Sequence, residues 1–101
     1  MKTAVYAGSF DPVTNGHLWM IEKSAMVFDK VIVAIGDNYK KKYSFSVKDR
    51  IDMLKEVTKD ITHIEITSFR HELLVNYAKR VGANFIIRGV RNTTEIGRAH
   101  V

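Results

Sequence analysis

The sequence predicts an α/β fold in which a parallel sheet is flanked by helices. Three observations carry the prediction. Four short runs, at residues 4–7, 31–35, 64–66 and 85–87, are rich in β-forming residues. The segments between them repeat apolar residues every three or four positions, the signature of a helix with one buried stripe. Strand and helix alternate strictly, β-α-β-α-β-α-β, and such alternation builds parallel sheets through right-handed crossovers.

Taken in order, the first run is Ala4-Val5-Tyr6-Ala7 and ends at Gly8. It and Val31-Ile32-Val33-Ala34-Ile35 are continuously apolar, as strands covered on both faces require. Thr14 or Asn15 can cap the first helix, whose stripe is Leu18, Ile21, Ala25 and Phe28. Trp19 lies one residue off that stripe; core packing is its default reading and a subunit contact the alternative. Ser46 caps the second helix with Asp49 at the third position, and Ile51 and Leu54, with Met53 and Val57, are expected to face inward. Leu74, Tyr77, Ala78 and Val81 form the third stripe, stopped by Gly82. Leu73, just before it, reads as a core residue. Phe85-Ile86-Ile87 is the last strand, followed by Arg88-Gly89-Val90-Arg91.

Composition narrows the chemistry. The chain has 101 residues, enough for one small domain, and no cysteine, which excludes disulfides, zinc–thiolate sites and thiol nucleophiles. The start lacks the apolar core of a secretory signal, and no apolar run is long enough to span a bilayer, so a cytoplasmic, membrane-free protein is expected. The net charge of +5 favours anionic ligands, and Lys40-Lys41-Lys42 is the densest basic run, although a solvated loop explains that run equally well. His63, His71 and His100 have no metal-ligand spacing and read as surface residues.

Phosphate-bearing ligands bind parallel sheets beyond the carboxyl ends of the strands. Two informative segments fall there. In Gly8-Ser9-Phe10-Asp11-Pro12-Val13-Thr14-Asn15-Gly16-His17, glycines permit close backbone approach, Asp11-Pro12 marks a turn, and the following helix start offers free N–H groups to an anion. Ser9 adds a hydroxyl, and His17, in the first helical turn, can stabilise charge developing on a phosphate. Each residue alone is ordinary; the ordered string between a strand and a helix is specific. In the second segment, Arg88 and Arg91 flank Gly89 and Val90, and the guanidinium fork suits phosphate oxygens.

Thr14-Asn15-Gly16-His17 resembles the T/HxGH signature of the nucleotidyltransferase superfamily, and residues 8–17 together with Arg88-Gly89-Val90-Arg91 are similar to the phosphopantetheine adenylyltransferase family. The resemblance covers residues 1–94 and implies a Rossmann-like nucleotidyltransferase fold. It implies transfer of the adenylyl group of ATP to 4′-phosphopantetheine, giving dephospho-coenzyme A and pyrophosphate, with Mg2+ assisting and no protein metal ligands. Carried over by position, Ser9, Phe10, His17, Gly89, Val90 and Arg91 bind ATP. Ser9, Lys41, Leu74 and Arg88 bind the acceptor, and His17 also stabilises the transition state. A full-length parent is expected to form a homohexamer.

Sister enzymes acting on nicotinate mononucleotide, or transferring cytidylyl groups, usually carry histidine where this chain has Thr14. They are the nearest alternative, followed by a non-catalytic basic module binding nucleic acid. The stretch after Thr94, Glu95-Ile96-Gly97-Arg98-Ala99-His100-Val101, departs from the family pattern, which continues with an acidic helix and a serine-rich ATP-binding segment. Residues 96–101 can be back-translated as ATC GGA AGA GCA CAC GTC, which matches the opening of a sequencing-library adapter; other codons are possible, and an ordinary C-terminus is the alternative. Residues 1–94 are therefore expected to be the N-terminal part of an adenylyltransferase domain, and residues 95–101 a non-native tail. On that reading the 101 residues alone are expected to be nearly inactive.

Overall fold

A computed structural model describes residues 1–38 and 40–88. The elements are β1 (Thr3–Gly8), α1 (Asn15–Val27), β2 (Lys30–Asp37), α2 (Val47–Val57), β3 (Ile64–Arg70), α3 (Leu74–Arg80) and β4 (Phe85–Ile87). The four strands form one parallel sheet in the order β3-β2-β1-β4. This is the predicted α/β architecture, and the expectations for the tail and for Gly89, Val90 and Arg91 lie outside the described residues.

The core explains why β2 is apolar without interruption. Side chains alternate across a strand, so Val31, Val33 and Ile35 point to one face and Ile32 and Ala34 to the other. The first set joins Tyr6, Phe10, Ile21 of α1 and Leu54 of α2. The second joins Val5 with Tyr77 and Ala78 of α3. Helices thus cover both faces, and β2 is buried on each side. Strands β2 and β3 run beyond the predicted segments to Asp37 and Arg70, because the backbone pairing continues past the apolar runs, Gly36 to Phe69 and Asp37 to Arg70.

The helix boundaries follow their chemistry. Thr14 caps α1, and Ser46 caps α2 by accepting the Asp49 N–H. Gly82, at φ +77°, turns the chain out of α3 as expected of a C′ glycine. Three burial expectations are corrected. Trp19 is 56% exposed, with the Lys23 ammonium 5.9 Å from its ring centroid. Val57 is 41% exposed, because it lies at the end of α2, where Thr58 is buried instead and donates its hydroxyl to the Leu54 carbonyl. Leu73 is 73% exposed, because it precedes the first turn of α3 and the helix turns Leu74, not Leu73, toward the sheet.

Candidate active site

At the carboxyl edge of the sheet lies a cleft of about 680 Å3, whose walls come from the ends of β1, β2 and β3 and from the loop after β2. Ala7, Gly8 and Ser9 form one wall, Gly36, Asp37 and Asn38 the floor, and Phe69 to Leu73 the far wall. Lys40, Lys41 and Tyr43 reach in from the loop. The cleft therefore holds the cations Lys40, Lys41 and Arg70 against the carboxylates Asp37 and Glu72. Both carboxylates are engaged: Glu72 pairs with Arg80, and Asp37 with two arginines.

The turn after β1 is shaped by one aromatic ring. Phe10 has φ 48°, in the left-handed region, and its ring is almost wholly buried. It packs edge-on against Tyr6 at 5.5 Å and His17 at 4.8 Å. Gly8 makes room for it, since a Cβ there would stand 3.3 Å from the ring. The Asp11–Pro12 bond is cis, and Asp11 then reaches across to the loop after β2. Its carboxylate accepts the Ser44 N–H at 2.7 Å and the Phe45 N–H at 2.8 Å.

His17 is held by the cap of its own helix. Thr14 and His17 form a capping box: the His17 N–H donates to Thr14 Oγ1 at 3.3 Å, and the Thr14 N–H donates to His17 Nδ1 at 3.0 Å. A backbone N–H can only donate, so Nδ1 must be an acceptor, and the neutral ring carries its proton on Nε2. Partial burial beside Phe10 pushes the His17 pKa below its ordinary value by disfavouring the charged ring. The result is a neutral imidazole that keeps one donor, Nε2–H, for a ligand.

Sequence reasoning missed the element beneath the cleft. Arg50 of α2 is 1% exposed, among the largest fully buried side chains. Its Nε donates to the Phe45 carbonyl at 3.0 Å, and its NH1 donates to the Ser9 carbonyl at 3.0 Å. Its NH2 stands 3.6 Å from Asp37 Oδ1, and the guanidinium lies 4.0 Å from the Tyr43 ring centroid. Asp37 Oδ2 binds Arg70 through Nε and NH2. Tyr43 closes the loop by accepting the Asn38 N–H on its hydroxyl at 2.9 Å. In sequence, Arg50 falls between the inward positions of α2 and a solvated face, and only its tertiary partners distinguish it from a surface arginine.

The expected site residues thus fall into groups. Ser9 and Lys41 line the cleft together. Neither His17 nor Phe10 lines the cleft: His17 packs edge-on against Phe10, whose ring is buried and so not presented to a ligand. Leu73 lines the cleft, whereas the side chain of Leu74 packs into the core with Tyr77 and Ala78. Arg88 is exposed and follows β4 directly, one residue past the Ile87–Tyr6 pair, on the opposite side of β1 from the cleft. No group of three or more histidine or acidic side chains is placed to hold a metal among the described residues.

A parallel sheet whose first strand is followed by a glycine turn and a capped helix, with the strand order reversing beside that strand, is a Rossmann-like α/β fold, and that reversal is where such sheets carry their ligand crevice. The chain belongs to the cytidylyltransferase-like family, whose model matches residues 5–100. It is 53% identical over 95 residues to a phosphopantetheine adenylyltransferase of Chromobacterium violaceum, covering 94% of this chain and 58% of the relative. It is 50% identical over 95 residues to that of Clostridium beijerinckii, with 94% and 59% covered. To that of Carboxydothermus hydrogenoformans it is 54% identical over 91 residues, with 90% and 56% covered. The chain thus spans under three fifths of the length of these relatives.

Proposed function

We propose that this chain carries the acceptor-binding part, and one flank of the nucleotide-binding part, of an enzyme that transfers the adenylyl group of ATP to 4′-phosphopantetheine. One observation carries the reading: β1 lies between β2 and β4, so its turn faces a basic cleft on one side and Arg88 on the other. The β1/β4 boundary is the point where the strand order reverses, the usual seat of a nucleotide in an open α/β sheet. An acceptor in the cleft and a nucleotide at that boundary would meet at Ser9 and His17.

In the proposed reaction a phosphate oxygen of the acceptor attacks the α-phosphorus of ATP. A new P–O bond forms, the bond from the α-phosphorus to the bridging oxygen breaks, and pyrophosphate leaves with that oxygen. No covalent enzyme intermediate is needed, so the protein acts by positioning and charge stabilisation. His17 donates from Nε2 to the α-phosphate as negative charge builds. Ser9 and Lys41 orient the acceptor phosphate, and Arg88 neutralises it from the other side. Phe10, Gly89, Val90 and Arg91 would border ATP, and Leu74 would meet the pantetheine arm through its backbone, beside the exposed Leu73.

A divalent cation, Mg2+ by the resemblance, would arrive on the phosphates of ATP. The two cleft carboxylates are already paired with arginines and do not form a cage for it. Homohexameric assembly follows from the resemblance, and a cytoplasmic setting from the sequence expectation; no helix among the described residues is long and apolar enough to cross a membrane.

The test is calorimetric titration of the protein with ATP, 4′-phosphopantetheine, pantetheine without its phosphate, and nicotinate mononucleotide. Turnover is read on residues 1–94 joined to the C-terminal remainder of the Clostridium beijerinckii relative. Saturable binding of 4′-phosphopantetheine, with dephospho-coenzyme A formed from ATP, is expected. Preference for nicotinate mononucleotide, or for CTP over ATP, moves the chain to a sister activity. Salt-sensitive oligonucleotide binding without nucleotide turnover sinks the proposal.

A further inference from the structure

Burying a guanidinium is costly unless every donor is satisfied, and well-packed apolar side chains usually serve a core at least as well. Arg50 is buried nonetheless, so its contacts must account for it. They go to three separate segments, and each bears a residue of the cleft. NH1 holds the carbonyl of Ser9 in the turn after β1. NH2 faces Asp37 at the end of β2, the same carboxylate that binds Arg70 of β3. Nε holds the Phe45 carbonyl, and the guanidinium plane covers Tyr43, at the foot of the loop that carries Lys40 and Lys41. Asp11 grips the same loop from the β1 side through Ser44 and Phe45.

We infer that Arg50 is a positioning residue for the acceptor: it locks the Ser9 turn, the Asp37–Arg70 pair and the lysine loop into one rigid wall. The inference rests on the acceptor cleft proposed above. Arg50 is 1% exposed and does not line the cleft, so its effect passes through Ser9 and the loop. Lysine can supply its charge but not its fork, which serves Phe45, Ser9 and Asp37 from three nitrogens at once. Both ligands share Ser9, but the nucleotide, on the far side of β1, meets only that one residue of the wall, whereas the acceptor also meets the lysine loop; the acceptor therefore depends on the wall more.

The experiment compares Arg50→Lys with Leu54→Ala, a cavity variant in the same helix whose side chain is a core residue and not one of those lining the cleft. Affinities for 4′-phosphopantetheine and ATP are measured by calorimetry, thermal midpoints by circular dichroism, and amide exchange at Ser44 and Phe45 by NMR. Arg50→Lys is expected to weaken the acceptor about tenfold, to change ATP affinity by less than about threefold, and to speed exchange at both amides. Leu54→Ala is expected to lower the midpoint at least as much while leaving acceptor affinity within about threefold. Asp37→Asn loosens the same wall from the carboxylate side and should reproduce the split between ligands. Equal loss for both ligands in Arg50→Lys, or an acceptor loss in Leu54→Ala that matches it, overturns the inference. A wild-type protein that takes a different phosphorylated acceptor defeats the functional reading alone, and the same comparison is then read with that acceptor. A wild-type protein that binds no phosphorylated acceptor defeats both.

Discussion

The Thr14 backbone N–H donates to Nδ1 of His17 at 3.0 Å, and this bond decides which form of the histidine the fold accepts. Protonation at Nδ1 would set two N–H groups against each other and break the capping box. The direct consequence is a pH dependence with a fixed sign. The His17 pKa is lowered in the folded chain by burial, relative to about 6.5 when unfolded. Above that value both states hold neutral imidazole, and His17 adds no pH dependence. Below it the unfolded chain takes up the proton first, so stability falls as the pH drops toward the lowered folded value. Urea midpoints at pH 7.5 and 5.5 should therefore fall more for the wild type than for His17→Gln. An equal fall in both proteins rejects the assignment.

The same ring is expected to matter more for the chemical step than for binding. In the protein at the length of its relatives, His17→Ala should lower kcat by roughly 100- to 1000-fold, the scale for losing one donor to a transition-state oxyanion. KM should move far less. A near-wild-type kcat removes His17 from the proposed role.

Thr14 binds His17 at both ends of the cap, so its loss should show in stability and in the ring together. Thr14→Val keeps the shape and removes the oxygen that accepts the His17 N–H. The expected cost is about 1 kcal/mol in urea unfolding, as for other N-cap losses. Thr14→Ser retains the oxygen and should lie near the wild type. A valine variant as stable as the serine variant would show that the cap contributes nothing.

The fold was legible because its signals are local. Continuous apolar runs marked β1 and β2, Ser46 marked the start of α2, and Gly82 marked the end of α3, each through a property of one or a few neighbouring residues. The site was legible only where its residues lie in one string, as Ser9 and His17 do. Arg50 escaped because its partners Ser9, Asp37 and Phe45 come from three segments, up to 41 positions away. Trp19 and Leu73 misled for a related reason. Hydrophobicity says that burial is favourable, but helix phase and helix ends decide which side chains reach the sheet.

Gly8 tests the close packing of the turn. A Cβ at this position would lie 3.3 Å from two carbons of the Phe10 ring, and that ring is 1% exposed with Tyr6 and His17 behind it. The ring has little room to retreat, so Gly8→Ala should destabilise by about 1–3 kcal/mol, as overpacked cores do. Thermal unfolding checks the stability, and the His17 ring resonances check the displacement. An alanine variant with wild-type stability and unchanged His17 resonances would show that the turn is loosely packed.

Lys40 and Lys41 both line the cleft, and a variant of each separates general attraction from a specific contact. Both are exposed, so alanine at either should change stability by no more than about 0.5 kcal/mol. The backbone distinguishes them only in part: the Lys41 N–H donates to the Asn38 carbonyl, and the Lys40 N–H to the Asn38 side chain. By its place in the proposed acceptor site, Lys41→Ala should weaken 4′-phosphopantetheine by about tenfold, a charge-assisted contact of modest strength. The loss should shrink for pantetheine without its phosphate, because the missing interaction is with the anion. Lys40→Ala should cost less at physiological salt, where unpaired surface charges are screened within about 8 Å. Equal losses at both positions, vanishing together as salt is raised, would assign the loop to electrostatic steering rather than to a phosphate contact at Lys41.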